Sequence, residues 1–184
     1  MPSDFAIRHA AHCIKHGGVI VYPTETVYGL GCDPLCEDAV ERINRIKQRV
    51  PGKGLILLAG SLEQLDDFID VPAPRDRALI RDNGQPTSWI VPASTRAPAW
   101  ITGGGETIAV RISDHATVRS LCQRLGYALV STSANPAGRR PGRNALELHR
   151  YFDGIVDAIL LSHGTSRGKP SKIIRLADRS LVRE

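Results

Sequence analysis

Gly18-Val19-Ile20-Val21-Tyr22-Pro23-Thr24-Glu25-Thr26-Val27-Tyr28-Gly29-Leu30-Gly31 is the stretch on which the fold turns. Val19 to Tyr22 is β-branched and aromatic, and Gly17-Gly18 frees it from the preceding segment, so it reads as a strand. Pro23 has no amide hydrogen to give a sheet ladder, and the strand ends there. Thr24, Glu25, Thr26 and Tyr28 follow at once, and a core has little use for so many polar groups unless each is bonded. Polar residues at a strand end, followed by glycines that let backbone come close, suggest a pocket wall. A Pro-Thr turn with solvated hydroxyls accounts for the same residues, and the stretch alone does not separate the two.

Outward from it, helices and strands interleave. Asp4 to His16 has the spacing of an amphipathic helix, with Phe5, Ile7, Ala10, Ala11 and Ile14 inward and Gly17 as its left-handed stop. His9, His12 and His16 recur on that helix; without an acidic neighbour to orient them they read as a solvated face, not a metal site. Glu37 to Lys47 forms a second helix, and Leu55 to Ala59 is a continuous apolar strand. Ser61 and Gln64 have capping-box spacing for a helix through Phe68, and Arg75 to Asp82 is a short helix stopped by Asn83-Gly84. Ser88–Val91, Thr107–Ile112 and Tyr127–Val130 are strand-like, with a helix from Ala116 to Leu125 before Gly126. A capping box at Asn144 and Glu147 opens a helix that ends near Phe152. Ala158–Leu161, Lys172–Leu176 and Leu181–Arg183 close the chain as strands, the last two as a hairpin. This order predicts one α/β domain over residues 1–184, a twisted sheet of mixed parallel and antiparallel strands flanked by helices.

Composition narrows the function classes. Hydrophobic residues make up 42% and charged residues 23%, which excludes wholesale disorder, and no apolar run approaches the roughly 20 residues of a membrane span. The N-terminus lacks the basic and apolar segments of a secretory signal, and the four cysteines form no Cys-x-x-Cys pair, so a cytoplasmic protein with reduced thiols is expected. The net charge of +5 favours a polyanionic partner, whether nucleic acid or nucleotide phosphate.

Three constellations carry chemistry. Lys47-Gln48-Arg49-Val50-Pro51-Gly52-Lys53-Gly54 puts three cations at a helix end, where Pro51 disfavours helical geometry at Val50 and lets Lys47 and Arg49 swing together. Such a group can clamp a polyphosphate, or merely complement the helix dipole. Ser131-Thr132-Ser133-Ala134-Asn135 follows a buried strand, where open α/β sheets gather ligands. Arg111 lies inside the Thr107–Ile112 strand on the face of Thr107 and Ala109, and there needs either a bound anion or an internal acid. Gly164 to Ser171 imitates a phosphate-binding Walker loop but is one residue short and opens no helix.

With these residues in hand, the chain resembles the YrdC/TsaC family. The match is carried by Pro23-Thr24-Glu25-Thr26-Val27-Tyr28-Gly29-Leu30-Gly31, by Lys47-x-Arg49 with Lys53, and by Ser131-Thr132-Ser133-Ala134-Asn135. It runs from about Phe5 to the C-terminus, and the length resembles the short bacterial form. The resemblance implies a YrdC-like fold with a large basic cavity. The activity it implies is that of an L-threonylcarbamoyladenylate synthase, a nucleotidyltransferase that joins L-threonine, bicarbonate or CO2, and ATP into threonylcarbamoyl-AMP and pyrophosphate. The product goes to threonylcarbamoyl transferase proteins for tRNA modification beside the anticodon. By motif, Lys47 and Arg49 carry catalysis and contact ATP together with Lys53, Ser133, Asn135 and Arg143. Thr26, Tyr28, Arg111 and Ser171 match positions facing threonine, with Arg111 as clamp for its carboxylate. Mg²⁺ is expected to travel with the triphosphate, held by phosphate oxygens and water and by no protein side chain. Ser113 departs from the proline of many relatives, and Leu57-Leu58 from the more polar pattern of longer ones. The resemblance also keeps open an alternative, a double-stranded RNA or tRNA-binding module using the same concavity; weak tRNA binding is compatible with either. Glu25, the only carboxylate in the motifs, has two readings, ordering its loop or meeting a cation.

Overall fold

The computed structural model describes residues 1–50, 52–81, 84–162 and 170–183. Helix α1 (Asp4–Lys15) is capped by Ser3, whose hydroxyl accepts from the Ala6 amide, and Gly17 follows it with φ +76°. Its buried stripe is Ile7, Ala10, Ala11 and Ile14, but Phe5, expected inward, is 72% exposed. Two positions before Ile7 it points about 200° away around the helix.

Strand β1 (Ile20–Tyr22) ends at Pro23 as expected, and Gly29–Gly31 forms β2, antiparallel to it with Tyr22 opposite Gly29. The two glycines are there for Tyr22: a Cβ on Gly31 would run into the Val130 carbonyl oxygen and come 2.8 Å from the Tyr22 ring. Helix α2 (Glu37–Lys47) has the predicted bounds. Pro51, credited with ending it, lies outside the described residues; within them Gln48 takes the left-handed conformation, φ 44°, and turns the chain.

Strand β3 (Ile56–Ala59) leads to Ser61, where the expected helix is only a 3-10 turn, Glu63–Leu65. Gln64 makes its half of the capping box, accepting from the Ser61 amide, and also accepts from Gly60, but no helix propagates to Phe68. Helix α3 (Pro74–Arg81) starts on Pro74, a favourable first helical residue, and its predicted stop at Asp82 and Asn83 lies outside the described residues. Strand β4 (Thr87–Pro92), the short helix α4 (Ala99–Thr102) and β5 (Thr107–Ile112) follow. Helix α5 (Ala116–Leu125) is capped by His115 and closed by Gly126, φ +86°. Strand β6 (Leu129–Ser133) runs through the first three residues of the supposed polar loop, a correction with consequences for the site. Helix α6 (Ala145–Phe152), capped by Asn144, precedes β7 (Ala158–Ile159), β8 (Lys172–Arg175) and β9 (Leu181–Arg183).

The strands form one mixed sheet in the order β7-β1-β2-β6-β3-β5-β4-β8-β9. β1/β7, β3/β5 and β4/β8 are parallel, and the other neighbours antiparallel. Alternation along the strands feeds two cores. Val19, Val21, Leu57, Ala59 and Val130 face a larger one with Ala39, Val40 and Ile43 of α2 and Leu148 of α6. Ile20, Tyr22, Leu58 and Leu129 face a smaller one with α1 and α5. No helix among the described residues is long and apolar enough to cross a membrane.

Candidate active site

On the face that α1 and α5 cover, β6 changes character along one parity: Leu129 is core, whereas Ser131 and Ser133 are not. The same face of β3 carries Leu58 beneath the helices and Ile56 beyond them. Cross-strand partners share a face, so the pairs Gly29–Ser133, Ser131–Ile56, Ile56–Ala109 and Ala109–Ile90 form a continuous floor. Over that floor lies a cavity of about 350 Å³, walled by the Thr24–Gly29 loop, Arg49, Arg111, Ser171 and Arg183. The strand end and the loop therefore form a pocket wall, which settles the choice between wall and solvated turn.

The loop hydroxyls are paired with one another. Thr24 Oγ1 donates to the Val27 carbonyl at 2.7 Å, accepts from the Thr26 amide at 3.1 Å and lies 3.0 Å from Thr26 Oγ1. Tyr22 donates its hydroxyl to Ser131 Oγ at 2.9 Å, tying β1 to the cavity floor, and burial pushes its pKa up. Tyr28 is among the cavity's lining residues, but its side chain is buried in the larger core, where its hydroxyl accepts from the Ser162 amide at 3.1 Å. Ser171 is buried against Ser88, the two hydroxyl oxygens 2.9 Å apart.

Arg111, on the face expected for it, is 6% exposed. Its Nη1 donates to Thr26 Oγ1 at 3.2 Å, and its Nε is 3.5 Å from Glu25 Oε1, an ion pair without hydrogen-bond geometry. Glu25 is thus the internal acid that a strand arginine needs. Its other oxygen accepts from the Ser113 hydroxyl at 2.5 Å.

Lys47 reaches the Ser133 carbonyl at 2.8 Å, the Asn135 carbonyl at 2.9 Å and Asn135 Oδ1 at 2.8 Å, so the Lys-x-Arg and Ser-x-Asn motifs meet. Arg49 donates to the Gly54 carbonyl and Arg183 to the Ser171 carbonyl. All three cations have only neutral partners among the described residues. Burial, then the charge of Arg49, lowers the Lys47 pKa to about 8. Burial and Arg183 lower that of Arg49, and burial and Arg111 lower that of Arg183. Lys47, Arg49, Arg183 and Arg111 thus form a run of mutually repelling positive groups, of which the three arginines line the cavity, and none of the cavity's described lining residues is a carboxylate. Cations fixed by neutral partners have the chemistry to receive an anion of several charges.

Arg143 is exposed and absent from the cavity wall; its amide donates to Glu147. Lys53 lines an adjoining depression with Arg49, Asn44 and Trp100. Lys47 and Asn135 stand behind Ser133 and do not line the cavity. Arg183 escaped the sequence reading, although an arginine inside a strand is the same signal that singles out Arg111. His16 Nδ1 donates to the His12 carbonyl, and no group of metal-ligating side chains occurs among the described residues.

Comparison with known proteins finds relatives over most of the chain. A family model bearing the names Sua5, YciO and YrdC, with the description Telomere recombination, matches residues 12–184. A Halorhodospira halophila protein named threonylcarbamoyl-AMP synthase is 46% identical over 157 residues, 85% of this chain and 82% of that protein. The structure of P. abyssi Sua5 complexed with L-threonine superposes with a TM-score of 0.86 at 32% identity, covering 97% of this chain and 53% of that one. E. coli YciO superposes with a TM-score of 0.84 at 30% identity, covering 100% of this chain and 91% of its own. The chain belongs to the Sua5/YciO/YrdC family.

Proposed function

We propose that this chain is an L-threonylcarbamoyladenylate synthase, condensing L-threonine, bicarbonate or CO2, and ATP to threonylcarbamoyl-AMP and pyrophosphate. The observation that carries the reading is the run Lys47, Arg49 and Arg183, cations with only neutral partners, beside a hydroxyl-lined wall. The relatives named threonylcarbamoyl-AMP synthase and the Sua5 complex with L-threonine support it.

The triphosphate lies along the cations, and the small polar recess between Thr26, Ser171 and Arg111 takes threonine, its carboxylate on Arg111. The amine of threonine, carboxylated by bicarbonate with loss of water, presents a carbamate oxygen to the α-phosphorus. That P–O bond forms as the bond to pyrophosphate breaks. Charge on the phosphate oxygens grows and shifts to the leaving group, where fixed cations stabilise it without reorganising. Lys47 and Arg49 are the catalytic pair; Ser133 and Asn135 hold Lys47 in place. Holding three reactants in one pocket supplies the entropic part. A Mg²⁺ ion on the triphosphate would be held by phosphate oxygens and water, since the described cavity lining offers no carboxylate, and would add to the charge neutralisation that Lys47 and Arg49 supply. The adenylate then passes to the transferase proteins that modify tRNA.

The test is pyrophosphate release that requires threonine and bicarbonate together. Lys47→Ala and Arg49→Ala should each lower it about 100-fold, the cost typical of losing one charge-stabilising donor. Release independent of threonine, or unchanged in either variant, would sink the assignment.

A further inference from the structure

Arg111 is a cation embedded in a strand, and a guanidinium so buried needs a counter-charge and something to fix its orientation. Arg183 adds to the difficulty, since the two positive charges sense one another across the cavity. Among the described residues Glu25 is the only carboxylate at ion-pair distance from Arg111. It approaches from the Nε side and does not line the cavity, whereas Nη1 meets the cavity residue Thr26.

Glu25 is itself held. Ser113 is fully buried, and its hydroxyl is used twice, accepting from the His115 amide at 3.2 Å and donating to Glu25 Oε2 at 2.5 Å. The amide bond directs the hydroxyl hydrogen to the carboxylate. Because Ser113 follows β5, the strand that carries Arg111, the contact closes a short loop: strand, serine, glutamate, and back to the arginine of the same strand. The 3.5 Å separation matters as well. A tight two-pronged carboxylate pair would occupy the fork of the guanidinium, but this one leaves the fork to another carboxylate.

We propose that Glu25, anchored by Ser113, is the positioning residue that aims Arg111 at the carboxylate of the amino-acid substrate. This rests on the reading of Arg111 as the threonine clamp. Glu25 acts only through Arg111: it contacts no reactant, and the selectivity it confers is for a substrate bearing a free carboxylate.

The test is a double-mutant cycle on the full-length chain, reading kcat/KM for L-threonine and KM for ATP by pyrophosphate release, with thermal midpoints recorded for every variant. Glu25→Gln should lower kcat/KM for threonine about tenfold, within the range of coupling for neighbouring charges, and leave KM for ATP within about twofold. Ser113→Ala, a milder change should Glu25→Gln fold poorly, should lower it about threefold in the same direction. In an Arg111→Ala background both should have no further effect. If Arg111→Ala leaves kcat/KM for threonine unchanged, the clamp reading itself fails, and the proposal with it. If Arg111→Ala lowers it but Glu25→Gln does not, or Glu25→Gln lowers it equally in both backgrounds, the clamp stands and the positioning role is overturned.

Discussion

Lys47 Nζ lies 2.8 Å from Asn135 Oδ1, a bond that joins the end of α2 to the turn after β6 across 88 residues of chain. Neutral oxygens hold the ammonium without neutralising it. The lysine is therefore both immobilised and in need of an anion, which is the condition for a preorganised phosphate site.

That condition has a pH signature. The Lys47 pKa, lowered to about 8, rises when a triphosphate arrives, so binding above pH 8 must take up a proton. The affinity for ATP should fall as pH climbs through about 8 to 9, by up to about tenfold per unit for one linked proton. Lys47→Arg keeps its charge throughout, and its KM for ATP should lack this limb. A wild-type KM that is flat to pH 10 would contradict the assignment.

Arg183 makes a separable prediction. Arg183→Met removes one of the repelling cations but keeps most of the apolar stem. Pyrophosphate, measured by calorimetry as a product ligand, should bind about tenfold more weakly, with a shallower dependence on salt.

Gly31→Ala tests the frame around Tyr22. The added methyl meets the Val130 carbonyl oxygen and the Tyr22 ring, so strand pairing or the ring must shift. Overpacking of this kind costs about 1–3 kcal/mol. At about 2–4 °C per kcal/mol for a chain of this size, the thermal midpoint should drop by several degrees.

The thiols should divide by burial. Cys32 and Cys122 are buried, and burial pushes the Cys122 pKa up to about 12 and that of Cys32 higher still. Burial and the charge of Asp157 also raise that of Cys13, which is only partly buried. An exposed-thiol reagent at pH 8 should therefore modify Cys36 first and Cys13 slowly, and reach Cys32 and Cys122 only on unfolding.

What the sequence by itself determined is the local architecture. The bounds of α2 and β5, the Gly126 stop of α5, the Asn144 cap of α6 and the closing hairpin follow from periodicity, capping chemistry and turn residues, which act over a few neighbours. Arg111 stands out by itself, as a cation inside a strand, whereas the cationic and Ser-x-Asn motifs, which helix-dipole and turn chemistry also explain, are singled out by the family resemblance. The tertiary structure alone decided what depends on distant partners. Ser61 and Gln64 have the spacing that starts a helix, yet only a 3-10 turn forms, so the cap did not carry the segment that follows. Ser131 to Ser133 look like a loop, yet they are strand because β2 and β3 pair with them on either side. Arg183 becomes a site residue only when β9 pairs with β8 at the cavity edge. Glu25, open between two roles in the sequence, is decided by Arg111 and Ser113, both more than 80 residues away. The Pro23–Tyr28 stretch carries its own strand end and hydroxyls, but what it forms a wall against is set by the sheet register, which places Ser133, Ser131 and Ala109 on one face.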